Sequence, residues 1–545
     1  MPDTKVDVLI QGARVVDGTG NPWFHGDVAL AGERVLDVLP AGSISAGRAR
    51  EVVDGSGMAV CPGFVDILSH SIRPLMRDRR CLSKVTQGVT MEIMGEAWTP
   101  APFGGRIEEP LRSDAIIDAV PEWRERARGW RRFGDWLEAM ATTGVTPNVA
   151  SFLGGGTVRE YARGMQMGPP DADELDCMRK VVDEAMRDGA LGVSYALIYP
   201  PEAYARTDEL IEVCRVVAGH GGVYATHIRS ESDRLLDAID EALEIGRQAQ
   251  VPVEIYHLKA SGRRNWPRMV EAIEKITEAR ADGQDVTADM YPYPAGGTGL
   301  TSVLPPWVAA DGKLFENLQD ASVRARVREE VLHPAGDWEP MGNLAEPEGV
   351  MPIGFRRPEN RGYNGRRLSE IASDRGQDWL DAAMDLLVSE RHRVGTVYFV
   401  ISEENIVEQL RQPWISIGTD AGGLDPVWAA ELGPTHPRAY GSYPRILGQY
   451  VRERRVIELE DAVRKMSSAP ATRVGLHDRG LLRPGYYADV VVFDPAEIHD
   501  LATFAEPHRL SRGVSEVWIN GVRVLKQGRH TGATPGKVLM GAAAR

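Results

Sequence analysis

Cysteine is scarce in this sequence, and its four copies lie far apart. The chain has 545 residues, and no two of Cys61, Cys81, Cys177 and Cys214 form a CxxC pair. Closely spaced cysteines are typical of zinc fingers and of small secreted domains that depend on disulfides. The spacing therefore argues against both classes. It suits a reducing compartment, so we expect a cytoplasmic protein.

Long apolar runs and blocks of basic residues are also missing. No apolar stretch approaches the ~20 residues that cross a bilayer. The opening MPDTKVDVLIQGARVVDG lacks the basic and apolar segments of a signal peptide. The formal net charge is -15, and no basic block offsets it, which argues against nucleic acid. We therefore expect neither a membrane nor a nucleic-acid partner, and a homo-oligomer stays one alternative.

Both ends of the chain carry short alternating runs that are typical of β-strands. A chain of this length is expected to form more than one domain. Residues 5 to 60 include VDVLIQGARVVDG and GDVALAGERVLDVLP, and the C-terminal end has similar runs in YYADVVVFDP and VSEVWINGVRVLKQG. Asn520-Gly521 is a strong signal for a hairpin turn. These runs predict one small β-sandwich domain built from residues 1–61 and 482–545.

Between these ends, residues 62–481 alternate between predicted strands and helices. A helix is predicted over 173–188, with Gly189 as its stop signal. Strands are predicted in GALGVSYALIYPP, DVTADMYPYP, TVYFVISEE and WISIGTD. Repeated β-then-α units favour a (β/α)8 barrel, with a doubly wound sheet as the alternative. Residues 303–370, rich in Pro, Arg and Gly, are interpreted as an insertion over the barrel mouth.

One strand–helix–strand unit, residues 223–264, organises the predicted chemistry. Residues 223–225 lead into His227, and residues 251–256 lead into His257. The segment between them repeats apolar residues at helical spacing. Parallel neighbours place both histidines at the same carboxyl edge of one sheet. Arg229 and Lys259 follow the histidines, and a nearby cation lowers a histidine's pKa and favours the neutral, metal-binding imidazole.

Carboxylates and a further histidine end other predicted strands. Glu96 follows TMEIMG, Asp420 lies in WISIGTDAGG, and His70 ends PGFVDILSHS. Together with His227 and His257, these groups suit zinc or a similar cation, and a further carboxylate can accept a proton from water. Each residue also has a plainer reading. Glu96 could cap a helix, His70 could serve as a hydrogen-bonded residue beside the ligands, and Asp420 could form a turn.

Nine stretches of the chain, in order, resemble one family. The sequence is similar to the N-acyl-D-amino-acid deacylase (D-aminoacylase) family of the amidohydrolase superfamily. The matching stretches are PGFVDILSHS, SKVTQGVT, SYALIYPP, YATHIRSE, VPVEIYHLKASGRRNW, DMYPYPAGGTGL, IGTDAGG, HPRAYGSYPRILGQY and LRPGYYADVVVFDP. The resemblance implies a metal-dependent barrel with a small β-sandwich. It also implies a hydrolase of non-peptide carbon–nitrogen bonds whose small-molecule N-acyl substrate has a D-configured carbon.

The resemblance also implies roles for single residues. His227 and His257 would bind the metal, with Glu96 and His70 in the same group, and Asp420 would be the general acid and base. Lys259, Arg438 and a tyrosine of DMYPYP, Tyr291 in preference to Tyr293, would bind the substrate's α-carboxylate, which suits the chemistry of these cations and a phenol. Tyr199 would polarise the scissile carbonyl.

Three positions depart from the family pattern. Leu68 replaces the first histidine of a His-x-His pair, Ala97 stands at a usual cysteine ligand, and Gly155 replaces the histidine of a GHGT turn. Leucine cannot bind a cation, so the sequence predicts one divalent cation, zinc, rather than two. Glu96 is the nearby group that could replace the cysteine.

These departures leave other functions open. The leading prediction is hydrolysis of an N-acyl-D-amino acid or a related N-acyl compound. A cyclic amide or imide hydrolase, or an acyl transferase, would keep the fold and change the reaction. A metal-free relative that only binds ligands is the alternative that Leu68, Ala97 and Gly155 motivate.

Overall fold

A closed barrel of parallel strands forms the centre of the molecule. The computed structural model describes residues 5–112, 114–334 and 338–544. Residues 1–4, 113, 335–337 and 545 lie outside the described ranges. Of these, residues 335–337 belong to the predicted insertion, and the others belong to the predicted domains. The barrel strands are Phe64–Asp66, Val89–Met94, Asn148–Ser151 with its continuation Leu153–Gly154, Gly192–Ala196, Val223–His227, Val253–Ile255, Val286–Met290 and Ile415–Ile417.

Two parallel sheets join to close this barrel. The first three strands pair as one sheet, and the others pair as a second sheet that begins with Leu153–Gly154. The Leu191 N–H donates to the Ser151 carbonyl (3.0 Å) at one seam. A parallel bridge between Ser69 and Ala421 closes the other seam. All carboxyl ends therefore meet at one rim, and the doubly wound alternative is wrong.

The helices that surround the barrel bury one apolar face. In the helix Leu235–Ala249 the residues Leu235, Ile239 and Ala242 are buried. Each large apolar side chain removed from water contributes about 1.5–3 kcal/mol. The helix predicted over 173–188 is found at Ala172–Arg187, and Gly189 follows it with φ 107°. That prediction is confirmed.

The helices have the following bounds. The α-helices are Ile72–Arg77, Leu82–Val85, Glu122–Ala127, Phe133–Thr143, Gly155–Arg163, Ala172–Arg187, Thr207–Gly219, Leu235–Ala249, Arg268–Ala281, Leu314–Asn317, Ala321–Leu332, Met341–Gly349, Leu368–Arg375, Trp379–Glu390, Glu403–Leu410, Pro426–Leu432, Arg438–Arg445, Leu459–Met466 and Ser468–Arg473. Ile446–Glu453 continues Arg438–Arg445 as a π-helix. None in the described part of the chain is long and apolar enough to cross a membrane.

A second, nine-stranded sheet takes strands from both ends of the chain. Its strands are Val6–Val15, Phe24–Ala31, Arg34–Pro40, Ala49–Asp54, Ala59–Pro62, Val490–Phe493, Val514–Ile519, Val522–Lys526 and Arg529–His530. Val490–Phe493 lies between Ala59–Pro62 and Val514–Ile519. The predicted hairpin turn is confirmed at Asn520 and Gly521 (φ 49° and 75°). The predicted fold class, a barrel with a β domain from both ends, is confirmed, whereas the boundaries at 62 and 481 stay a prediction.

One predicted barrel strand belongs elsewhere. The stretch TVYFV forms the strand Gly395–Tyr398, which pairs antiparallel with Gly296–Gly299 and Val350–Pro352 in a separate sheet. The last barrel strand, Ile415–Ile417, pairs directly with Val286–Met290. Counting TVYFV as a strand was right, and placing it in the barrel was wrong. The alternation of apolar and polar residues shows which face of a strand is buried, but it does not show which strand lies beside it.

The C-terminal residues run along the barrel's amino-terminal face. Val149, in the third barrel strand, forms a parallel bridge with Val538. The Leu539 N–H donates to the Val149 carbonyl (2.8 Å), and the Gly541 N–H donates to the Gly189 carbonyl (2.9 Å). This segment therefore packs against the end of the barrel opposite the rim of carboxyl ends.

Candidate active site

A cavity of about 670 Å³ opens at the carboxyl ends of the barrel strands. Its lining includes all nine residues predicted for the site: His70, Glu96, Tyr199, His227, His257, Lys259, Tyr291, Asp420 and Arg438. The strands of the antiparallel sheet form part of its wall through Gly296, Thr298 and Tyr398. The structure therefore brings the predicted residues together, at the rim where barrel folds place their chemistry.

Glu96 lies at the centre of the predicted metal-binding residues. Its Oε1 is 3.4 Å from His257 Nε2 and 3.7 Å from His227 Nδ1. Its Oε2 is 3.1 Å from His70 Nε2. The two barrel imidazoles stand edge to face, with ring centroids 4.4 Å apart. Donor atoms of Glu96, His227 and His257 all lie within 4.8 Å of one another, a spacing that one cation could span.

A second three-donor group shares Glu96. His70, Glu96 and Asp420 also have donor atoms within 4.8 Å of one another. His70 Nε2 is 2.8 Å from Asp420 Oδ1, and its side chain is 42% exposed toward the cavity. The chain thus offers a second group of possible metal donors beside the first. Leu68, which replaces a usual ligand histidine, is buried in the barrel interior and takes no part in it.

Asp420 is held in a conformation that few residues adopt. Its φ is 50°, in the left-handed region that costs a non-glycine residue roughly 1–3 kcal/mol. Its Oδ2 is 2.6 Å from Arg438 Nη1. Burial raises the pKa of this carboxyl, but the charge of Arg438 and the hydrogen bond from His70 outweigh it and lower the pKa to about 2. Asp420 is therefore ionised at neutral pH and able to accept a proton.

Glu231 contacts the metal-binding group and was missed by the sequence analysis. Its Oε1 lies 2.5 Å from Lys259 Nζ and 3.0 Å from His257 Nδ1, and its Oε2 lies 3.6 Å from His227 Nε2. Lys259 Nζ is also 2.8 Å from His257 Nδ1. The signal in the sequence was a carboxylate four residues after His227, in THIRSE.

The predicted lowering of both histidine pKa values holds for one of them. Burial lowers the pKa of His227. Burial and Lys259 also lower the pKa of His257, but Glu231 and Glu96 outweigh them and raise it to about 10. The prediction is therefore wrong for His257. It is also wrong about Arg229, which pairs with Glu241 instead (2.8 Å).

Tyr291 and Arg438 form the opposite wall of the cavity. The Arg438 guanidinium carbon lies 4.6 Å from the centre of the Tyr291 ring, and Lys259 Nζ lies 5.9 Å from it. The Tyr291 hydroxyl is buried without a hydrogen-bond partner among the described residues. A phenol and two cations around one open space suit a carboxylate.

Tyr199 lies on the side of His227. Its ring centroid is 5.7 Å from the His227 ring, and its hydroxyl is 2.6 Å from Thr298 Oγ1. Arg393 Nη2 donates to the same Thr298 oxygen (2.8 Å). Thr298 and Arg393 lie on the antiparallel sheet, so their place in the site depends on a strand pairing that the sequence pattern did not reveal.

The departures from the family pattern have local explanations. A side chain at Gly155 would place its Cβ 2.4 Å from the Tyr195 ring, so an imidazole has no room there. Ala97 has φ 59° and follows Glu96, whose carboxylate takes the central position. The charge on Glu96 is well supported. Burial raises its pKa, but the nearby imidazoles of His227, His257 and His70 outweigh burial and hold the pKa well below its usual range.

A (β/α)8 barrel with histidines and carboxylates converging at its carboxyl rim is the arrangement typical of metal-dependent barrel hydrolases, and the comparisons place the chain among the amidohydrolases. The family model described as amidohydrolase family matches residues 368–525. D-aminoacylase of Alcaligenes xylosoxydans xylosoxydans is 34% identical over 538 residues, which cover 99% of this chain and 98% of that protein. N-acyl-D-aspartate deacylase of the same organism is 34% identical over 542 residues, 98% of this chain and 95% of that protein.

Solved structures agree with these relatives. A crystal structure of D-aminoacylase has a TM-score of 0.81 at 33% identity and covers 98% of this chain and 100% of its own. The N-acyl-D-glutamate deacylase from Bordetella bronchiseptica, complexed with zinc and a phosphonate inhibitor, has a TM-score of 0.79 at 28% identity, with 98% and 100% covered. The chain belongs to the D-aminoacylase family, and the predicted family is confirmed.

Proposed function

We propose that this protein hydrolyses the amide bond of N-acyl-D-amino acids with the help of a divalent cation, zinc. The observation that carries the proposal is the position of Glu96 between three imidazoles, beside Asp420 and a cationic wall of the same cavity. Full-length relatives named for deacylation of D-amino acids support it.

The donor set fits a zinc ion held by Glu96, His227 and His257, with His70 beside them. Glu96 Oε1 and His227 Nε2 are buried and have no hydrogen-bond partner among the described residues. A buried polar atom without a partner costs about 1–3 kcal/mol, so these two atoms fit the role of metal ligands. Nitrogen and carboxylate donors suit zinc. This fit counts against the metal-free alternative.

When bound, the cation lowers the pKa of water and polarises a carbonyl oxygen. The residues of the chain supply the rest. Asp420 accepts the proton of the attacking water and returns it to the leaving nitrogen. Arg438, Tyr291 and Lys259 bind the α-carboxylate. The Tyr199 hydroxyl donates a hydrogen bond to the scissile carbonyl oxygen.

The test uses the full chain purified with zinc. N-acetyl-D-amino acids and their L-enantiomers are assayed for amine release, and zinc is measured by elemental analysis. We expect hydrolysis of the D-series, with at least about one zinc per chain. Asp420→Asn should keep zinc bound while kcat falls by at least ~100-fold, since general acid–base groups contribute ~10²–10⁴. Equal turnover of both enantiomers, or an active Asp420→Asn, would overturn the proposal.

The location and assembly of the protein stay predictions. All four cysteines are described, and none forms a disulfide. This supports our proposal that the protein works in the cytoplasm. We keep a homo-oligomer as a proposal of the same kind.

A further inference from the structure

We infer that the preferred substrate carries a second carboxylate, bound at the cavity mouth by Arg393 and Arg356. This inference rests on the proposed function and adds the substrate class. The second carboxylate could belong to the amino-acid side chain or to the acyl group. The two sources share one chemistry, an anion bound by guanidinium groups.

The first argument is the pairing of the cations that line the cavity. Lys259 lies beside Glu231, Arg438 beside Asp420, and Arg73 Nη1 2.7 Å from Asp114. Each of these cations is paired with a carboxylate of the protein, and Lys259 and Arg438 are also the residues proposed to bind the α-carboxylate. The two remaining arginines of the lining, Arg356 and Arg393, make no ion pair within the described part of the chain.

The second argument is where Arg393 is attached. Its guanidinium donates to Thr298 Oγ1 (2.8 Å), and Arg438 donates to the carbonyl of the preceding residue, Gly297 (3.3 Å). Consecutive residues lie ~3.8 Å apart along the chain. One strand therefore fixes both guanidinium groups in the same wall. A substrate whose α-carboxylate reaches Arg438 extends past Tyr199, which shares the Thr298 hydroxyl with Arg393.

The third argument is that Arg356 adds its charge on the same side. Arg356 is half-buried, and it lines the cavity together with His392 and Arg393. Burial lowers the pKa of His392, and the charge of Arg356 lowers it further. Although Glu390 opposes these effects, they disfavour the charged form of His392, so the arginines supply the positive charge of this wall.

The fourth argument is the contrast with the rest of the molecule. The chain has a formal net charge of -15, yet neither guanidinium of this wall forms an ion pair with a carboxylate of the described residues. The nearby Glu390 carboxylate accepts from the Arg356 backbone N–H (3.0 Å) and lies 3.2 Å from His392 Nε2. Most of an acidic protein repels anions, and a local positive cleft attracts and orients them. A guanidinium binds a carboxylate through two parallel hydrogen bonds, which favours that group over a neutral amide of the same shape.

Matched substrates test the inference on the zinc-loaded protein. One pair is N-acetyl-D-glutamate and N-acetyl-D-glutamine, which differ only in the side-chain charge. The other pair is N-succinyl-D-leucine and its succinic monoamide, which differ only in the charge of the acyl group. We expect kcat/KM to favour the charged member of one pair by at least ~10-fold, as charge-assisted hydrogen bonds allow. The pair that discriminates identifies the source of the carboxylate.

Variants assign the effect to the two arginines. In Arg393→Gln and Arg356→Gln, kcat/KM for the charged member should fall about tenfold more than for the neutral one. Arg393→Lys should recover part of that loss. Arg411→Gln, at an exposed arginine paired with Glu408, is the matched control and should keep the wild-type ratio.

The outcomes separate this inference from the proposed function. Hydrolysis of the neutral substrates without discrimination in either pair overturns the second-carboxylate inference and leaves deacylation intact. Discrimination that survives both glutamine variants overturns the assignment to Arg393 and Arg356. No hydrolysis of any N-acyl-D-amino acid defeats the proposed function itself.

Discussion

Glu231 contacts both predicted metal-binding histidines, His227 and His257, as well as Lys259. It is buried, and its carboxylate lies beside both barrel histidines and Lys259. Its own pKa is low, since His227, Lys259 and His257 together outweigh the effect of burial. A charged partner on the outer nitrogen of His257 fixes the ring orientation and leaves the other nitrogen facing Glu96.

Replacing Glu231 by glutamine should therefore weaken zinc binding. Partners of this kind typically contribute 10–100-fold in metal affinity or activity. We expect a loss in that range for Glu231→Gln, measured by zinc competition with a chelator and by kcat/KM. Glu244→Gln, at a half-buried glutamate of the helix Leu235–Ala249 that pairs with Arg247 outside the site, serves as control. Unchanged zinc affinity in Glu231→Gln would show that His257 needs no such partner.

A second residue prediction concerns pH. Glu254 is fully buried inside the barrel, and burial raises its pKa to about 7, although Arg473 and Thr287 oppose that shift. An unfolded glutamate titrates near 4.3, so the folded protein binds more protons between these values and loses stability as the pH rises. The free energy of unfolding of the wild type, relative to Glu254→Gln, should fall on the order of 2 kcal/mol from pH 5 to pH 8.

Chemical denaturation of both proteins across that pH range provides the measurement. The difference between wild type and variant removes the contribution of all other titrating groups. A difference that stays constant with pH would mean that Glu254 keeps an ordinary pKa in the fold.

The strand pattern located site residues that follow strands, the family resemblance added Arg438, and neither located Glu231. His227 and His257 were found because both follow short apolar runs, and parallel strands align such ends. The sequence analysis singled out none of Glu231, Arg356 and Arg393. Their role depends on which loop lies opposite, and charge alone carries no information about that.

At the scale of elements, the hairpin turn at Asn520 and Gly521 has a strict requirement for glycine. Gly521 has φ 75°, and a Cβ there would lie 1.9 Å from the Gly32 carbonyl oxygen. Gly521→Ala should therefore lower the free energy of unfolding by more than the ~1 kcal/mol of backbone strain alone. Gly532→Ala, at φ 90° with open space around it, measures the strain alone. Equal melting temperatures for the two variants would contradict the predicted clash.

The elements themselves were more predictable than their partners. The hairpin, the helix Ala172–Arg187 and the strand Gly395–Tyr398 were all indicated by periodicity and turn residues. The strand Gly395–Tyr398 was assigned to the wrong sheet, because its partners Gly296–Gly299 and Val350–Pro352 are glycine-rich or short. A glycine-rich or very short segment lacks the alternating apolar residues by which a strand is predicted.

At the scale of the whole molecule, the C-terminal segment stabilises the barrel. Residues 538–541 form backbone hydrogen bonds with Val149 and Gly189, and Leu539 packs against the cluster in the barrel interior. Deleting residues 531–545 should lower the apparent melting temperature by several degrees, measured by calorimetry. Deleting only 542–545, whose described residues Ala542–Ala544 are exposed, should leave it unchanged. Identical melting of the longer deletion would show that this segment contributes nothing to stability.

The nine-stranded sheet, which contains strands from both ends of the chain, has a consequence for how the protein folds during synthesis. Ala59–Pro62 finds its neighbour Val490–Phe493 only after more than four hundred further residues have been translated. At the usual translation rate of ~5–20 residues per second, the edge of Ala59–Pro62 that pairs with Val490–Phe493 stays unpaired for tens of seconds during synthesis. This sheet can therefore be completed only after the strand Val490–Phe493 has been synthesised, and chaperones have that interval to protect the unpaired strand edge.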